Sequence, residues 1–101
     1  MAEVIFASIS DFDKQPTAFV KKAEKAKNQV VITRRGKPVG LMRKVTARDR
    51  GRTEPMTNLI NHTHELVSSI VKNRRQIIIT RNYQPIIVLK RITSKAFSIK
   101  E

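Results

Sequence analysis

Two short runs of cations and amides stand where the chain should turn, and each could hold a phosphate. Arg34-Arg35-Gly36-Lys37-Pro38 sets three positive charges around a glycine able to supply a positive φ, which reads as a hairpin turn. Later in the chain Arg81 and Gln84 flank Asn82-Tyr83, where Asn82 tolerates the left-handed region better than most residues. Cations on a turn reach phosphate oxygens, so Arg34, Arg35, Lys37, Arg81 and Gln84 are candidate contacts to duplex DNA. A solvated, charge-rich turn is the plainer reading.

Two further groups carry the same kind of chemistry. Near the expected helix starts, Lys14 and Gln15 match Asn61 and His62, with Thr17 matching His64. Amide side chains can bond adenine edges in pairs, and helix starts welcome phosphate; ordinary helix-surface polarity is the alternative. Arg48, Arg50 and Arg52 bracket Gly51 and resemble the core of a minor-groove hook. Asp49 intrudes and the flanking prolines of such a hook are missing, so linker solvation is the competing reading. His62-x-His64 does not make a metal site, because imidazoles two apart on a helix point to different faces. With no cysteine, no acidic pair beside a basic partner and no phosphate-cradling glycine loop, no catalysis, cofactor or metal is expected.

Charge points the same way. Lys and Arg number 21 against 8 Asp and Glu, a net +13 in 101 residues. Such an excess on a small surface favours a polyanionic partner. A basic face that docks on an acidic protein is the alternative. RNA is less well served, since Tyr83 is the single tyrosine and no aromatic platform is visible. No run approaches the ~20 apolar residues of a membrane span, and the first nine residues do not read as a signal peptide. The expectation is a cytoplasmic, nucleoid-associated protein.

The elements that must position these residues are legible in outline. Glu3 to Ile9 reads as a strand, with Ser10 as the following helix cap and Asp13 three residues on. Pro16 suits the first turn of a second helix, in which Phe19, Val20, Ala23 and Ala26 recur at helical spacing through Lys27. Lys21, Lys22, Lys25 and Lys27 would form a solvated face. The β-branched run Val30 to Thr33 is a strand, and Val39 to Val45 pairs back on it.

The chain then says the same thing again. Ser10–Val45 superimposes on Thr57–Ile92 without a gap at an offset of 47, carrying Val30-Val31-Ile32-Thr33-Arg34 onto Ile77-Ile78-Ile79-Thr80-Arg81 and Pro38 onto Pro85. Thr57 would cap, Leu66, Val67, Ile70 and Val71 would form the helix stripe, and Ile77 to Thr80 and Ile86 to Ile92 would be strands. The second copy's first strand, around Arg52 to Met56, contains Pro55 and should be short or at an edge. The expected layout is a first unit over 1–45, a basic linker over 46–56 and a second unit over 57–101, the two sharing one core. A tail from Thr93 to Glu101 has enough apolar residues for a short strand or a loosely docked end. Repeats of this length cover each other's apolar face, and a pseudo-two-fold body suits a two-fold object such as duplex DNA.

The order strand, capped helix, helix, Val31-Ile32-Thr33-Arg34-Arg35-Gly36-Lys37-Pro38-Val39 resembles the Phd/YefM antitoxin family, with Ile78-Ile79-Thr80-Arg81 and Pro85-Ile86 as a looser second match. Members pair through this α/β unit, bind operator DNA with it, and neutralise a toxin through a separate tail. The family's Ser-x-Ala-Arg start reads Ser10-Asp11-Phe12-Asp13 and Thr57-Asn58-Leu59-Ile60 here. The resemblance implies an α+β fold in which two tandem units pack helices on a mixed or antiparallel sheet, without the toxin-binding tail. It implies a non-enzymatic double-stranded DNA-binding protein, a small transcriptional repressor related to antitoxins. The alternative is an antitoxin-like module that neutralises an acidic, toxin-like protein. The fused unit leaves room for pairing again into a homodimer or higher oligomer.

Overall fold

The computed structural model describes residues 3–25, 27–73 and 75–92. The elements run β1 (Val4–Ser8), α1 (Ile9–Lys14), α2 (Pro16–Glu24), β2 (Gln29–Arg34) and β3 (Lys37–Lys44). The same order follows in β4 (Arg52–Pro55), α3 (Met56–Asn61), α4 (Thr63–Asn73), β5 (Ile77–Arg81) and β6 (Gln84–Arg91). All six strands join one mixed sheet in the order β1-β2-β3-β6-β5-β4. The result is an α+β domain with four helices among the described residues. β1 lies parallel to β2 and β4 parallel to β5, while the two hairpins and the central β3–β6 pair are antiparallel.

Register repeats the sequence offset. Val30 pairs with Met42 as Ile77 pairs with Leu89, and each hairpin has a bulge immediately before its Thr-Arg, at Ile32/Thr33 and at Ile79/Thr80. The bulged-out residues are Val39 and Ile86, and the other half uses their carbonyls: Ile92 N–H donates to Val39 O and Val45 N–H to Ile86 O, both at 3.2 Å. The extra residue in each hairpin therefore stitches the halves together. At the centre Met42 faces Leu89, its own repeat equivalent, so the pseudo-two-fold axis passes through that pair.

Strand alternation decides which side chains enter the core. Val30, Ile32, Met42, Ile77, Ile79, Ile87 and Leu89 are buried with Phe12, Val20 and Ala23 from α1–α2 and Leu59, Leu66, Val67 and Ile70 from α3–α4. One buried cluster thus draws on both halves. Removing a side chain of this size from water stabilises by roughly 1.5–3 kcal/mol each. Gly40 leaves room for the other half to approach: a Cβ on it would lie only 3.2 Å from Ile70 Cδ1.

Several local expectations change. Ser8, not Ser10, caps α1: its hydroxyl accepts from the Asp11 N–H at 3.1 Å, because the helix starts at once where β1 ends. Pro55 occupies the N-cap position of α3, and Thr57 lies inside the helix. α2 stops at Glu24 rather than Lys27; Lys25 is extended and Lys27 has φ +71°. Buried Asn28 is the reason: its amide donates to Lys22 O at 3.3 Å and its Oδ1 accepts from Glu3 N–H at 3.2 Å, tying the helix end to β1. Ala26 and the tail from Thr93 to Glu101 lie outside the described residues.

Within the span 46–56 the short edge strand expected around Arg52 to Met56 forms. It is β4, a four-residue edge strand ending in Pro55. Before it, Thr46 and Asp49 close a turn, and the chain crosses to the far edge, where Arg52 N–H donates to Gln76 O at 3.2 Å. Gln76 Nε2 returns a bond to Arg50 O at 2.7 Å. Gly51 sits so close to the Gln76 carbonyl that a Cβ there would collide with it.

Candidate functional site

Both hairpins close with two residues: the first turn is Arg35-Gly36 rather than the five residues Arg34 to Pro38, and the second is Asn82-Tyr83 as expected. Arg35 and Gly36 have φ of +53° and +77°, and Asn82 and Tyr83 of +51° and +66°. Positive φ at both central residues is the turn whose twist matches a right-twisted hairpin. Arg34 and Lys37 are consequently the last and first strand residues of the first hairpin, as Arg81 and Gln84 are of the second. All of them are exposed.

The two tips differ electrostatically. Arg81 reaches across to α2 of the other half, its Nη1 lying 2.8 Å and 3.2 Å from the two carboxylate oxygens of Glu24. At an offset of 47, Glu24 corresponds to Val71 and Arg81 to Arg34, so the mirrored place offers no carboxylate. Among the described residues Arg34, Arg35 and Lys37 form no ion pair. The first tip therefore keeps its full positive charge, and the second has part of its charge neutralised.

Lys14, Gln15, Asn61 and His62 gather in a separate place. Lys14 ends α1 and Asn61 ends α3, and each is followed by a corner residue: Gln15 at φ −138°, ψ 58° and His62 at φ −135°, ψ 42°. Matching backbone angles mean that the two helix pairs bend alike. His64 Nε2 lies 3.5 Å from Asp13 Oδ2 across the halves, so the two corners are neighbours in the helix layer. His62 is not idle: its Nδ1 is 2.8 Å from Glu65 Oε1.

Arg48, Arg50 and Arg52 lie on a crossover whose backbone is tethered, and of their side chains only Arg52's has an ion-pair partner among the described residues. Arg52 Nε pairs with the buried Glu54 carboxylate at 2.6 Å, which also accepts from Asn58 Nδ2 at 2.8 Å. Arg50 is tied through its carbonyl to Gln76, and Arg48 N–H donates to Thr46 Oγ1 at 3.3 Å. Asp49 organises this turn, accepting from Arg43 through both oxygens at 3.0 and 2.8 Å and from Thr46 N–H at 2.7 Å. The Arg43 guanidinium, with the Thr46 bonds, holds the Asp49 carboxyl down to about 2 despite its burial.

The candidates therefore occupy three places: the hairpin tips, the paired helix corners, and the crossover. Antiparallel pairing of β3 with β6 sends the two tips to opposite ends of the sheet, about a dozen strand positions apart, a span that bulges and twist keep within the length of the molecule. The Cα extents of the molecule are 37 × 27 × 24 Å. Beside the second tip's end, Lys27, Asn28, Arg43, Lys44 and Thr46 line a hollow of about 340 Å³. A second hollow of about 300 Å³ lies among Arg52, Glu54, Asn58, His62 and Glu65. Its equivalents in the first half are Ile5, Ala7, Asp11, Gln15 and Ala18, so apolar residues stand there in place of Arg52, Glu54 and Glu65.

Sequence reasoning missed Glu24, whose role depends on a contact 57 residues away, and Asn28 and Gln76, whose amides clamp loops. Among the described residues no cluster of His, Cys, Asp or Glu is placed to hold a metal ion. No helix there is long and apolar enough to cross a membrane. Comparison with protein-family models, curated proteins and solved structures gives no match.

Proposed function

We propose that this chain is a non-enzymatic double-stranded DNA-binding protein, a small repressor or architectural factor of the Phd/YefM antitoxin kind with two units in one chain. The observation that carries the reading is the first hairpin tip, where Arg34, Arg35 and Lys37 stand exposed with no carboxylate partner among the described residues. A net charge of +13 supplies long-range attraction, and these side chains give it a place to act.

Spacing supports the same reading. Tips at opposite ends of a 37 Å body are separated by about one B-DNA turn of ~34–36 Å, which suits two contacts on one duplex. In this arrangement the unpaired Arg34, Arg35 and Lys37 meet phosphates, and Gln15, Asn61 and His62 at the helix corners offer polar groups for base edges. Phosphate contacts supply most of the affinity, and a few amides read bases.

The test is binding of a labelled duplex over a range of salt. Affinity should fall with a log–log slope of about −4 to −8, as several neutralised phosphates require. A flat response would remove the reading. Stronger association with an acidic protein than with any duplex would favour the neutraliser alternative.

A further inference from the structure

We infer that the Asn82-Tyr83 turn is the groove-reading end of this surface, with the Tyr83 ring seated against sugars and base edges in the minor groove of duplex DNA. The inference rests on the duplex-binding reading above and adds a residue and a polarity to it.

Three observations converge on Tyr83. Its backbone has φ +66°, a conformation that L side chains rarely adopt, at the position where the first half uses Gly36. Glycine would serve the turn with less strain, so the fold gains nothing from a tyrosine there. Its side chain is 98 % exposed, against 58 % for Phe6, the next most exposed large apolar side chain among the described residues. A rigid ring held out on a strained turn is a contact surface presented in advance, and tyrosine is enriched where such surfaces carry binding energy.

Its neighbours decide what kind of contact. Arg81 is partly neutralised by Glu24, which weakens this tip as a phosphate grip. Asn82 and Gln84 on either side offer amides that both donate and accept, the chemistry of base edges rather than phosphates. Apolar side chains that enter the minor groove work as wedges against base steps, and a ring at the end of a two-residue turn can enter while the strands stay at the groove's rim. The opposite tip, where Arg34, Arg35 and Lys37 have no carboxylate partner among the described residues, is the stronger phosphate grip. One end grips and the other reads. The preferred duplex is therefore directional rather than an inverted repeat.

The chain provides its own probe, since Tyr83 is the one tyrosine and there is no tryptophan. Intrinsic emission reports this ring alone. A short mixed-sequence duplex carrying a fluorescent label should be titrated at low salt, following label anisotropy and acrylamide quenching of tyrosine emission together. The expected result is saturation of both signals at one stoichiometry, with quenching reduced several-fold in the complex. Tyr83→Gly should weaken duplex binding by about tenfold without lowering the melting temperature, and Tyr83→Phe should keep most of the affinity. Wild-type binding with the ring still fully open to acrylamide, and Tyr83→Gly binding within about twofold of wild type, would overturn the inference and leave duplex binding standing. Absence of any wild-type binding would overturn both.

Discussion

Met42 on β3 and Leu89 on β6 are the same position of the repeat, and they face each other across the centre of the sheet. Both are fully buried. Every other repeat pair is displaced symmetrically about this one, as Leu41 opposite Lys90 and Arg43 opposite Val88 illustrate.

The pair should therefore behave as one energetic unit. Met42→Leu conserves volume and should cost less than about 1.5 kcal/mol. Met42→Ala and Leu89→Ala should each cost about 2–5 kcal/mol in urea unfolding. Because the two share one site, the double variant should depart from the sum by at least ~0.5 kcal/mol. Strict additivity would place the two residues in independent environments.

Glu24 sets the difference between the hairpin tips. Neutralising Arg34, Arg35 and Lys37 together should shallow the salt slope of duplex binding by about 0.9 for each phosphate that is no longer neutralised. Arg81→Gln should change it less, since Arg81 already shares its charge with Glu24. Glu24→Gln is the sharper test: it frees Arg81 and should tighten duplex binding while leaving the fold intact. Weaker binding in that variant would mean that the ion pair orients Arg81 toward the duplex.

Asp49 makes the crossover pH-sensitive. Its carboxyl is held at about 2 in the folded chain against an ordinary 3.8, so the ionised form is favoured by folding. The contribution is complete above about pH 4 and disappears as pH falls toward 2. Asp49→Asn should cost about 1–2 kcal/mol at neutral pH, allowing for solvent at the turn, and the difference should fade as pH falls through about 2. Equal stability of the two proteins at pH 7, measured by denaturant unfolding, would mean that the carboxylate clamp does not hold the turn.

Much of this architecture could be read from residue order, because repeats, bulge-and-turn chemistry and apolar spacing are local signals. The matched Val-Val-Ile-Thr-Arg and Ile-Ile-Ile-Thr-Arg runs marked both hairpins, and Pro55 marked the short edge strand. What stayed hidden depends on which strands meet at the centre. Without the β3–β6 pairing nothing in the sequence says that the tips point apart, or that Arg81 lands on Glu24. Caps were hidden for a related reason: Ser8 and Ser10 are chemically alike, and only the end of β1 selects between them. The Arg-Gly-Arg segment read as free linker because its tether, Gln76, is remote in sequence and chemically ordinary.

Gly40 and Ile70 carry one last consequence. Their repeat equivalents are Ile87 and Ala23, so a small strand residue meets a large helix residue on one side of the axis, and the sizes are exchanged on the other. Two copies of the first half, docked in the same geometry, would bring Gly40 against Ala23 and leave a void. Two copies of the second would force Ile87 and Ile70 into one space. Each half is thus shaped to reject its own kind and accept the other, a lock and key that a symmetric dimer of identical chains cannot encode. Joining the halves in one polypeptide is what lets them become different.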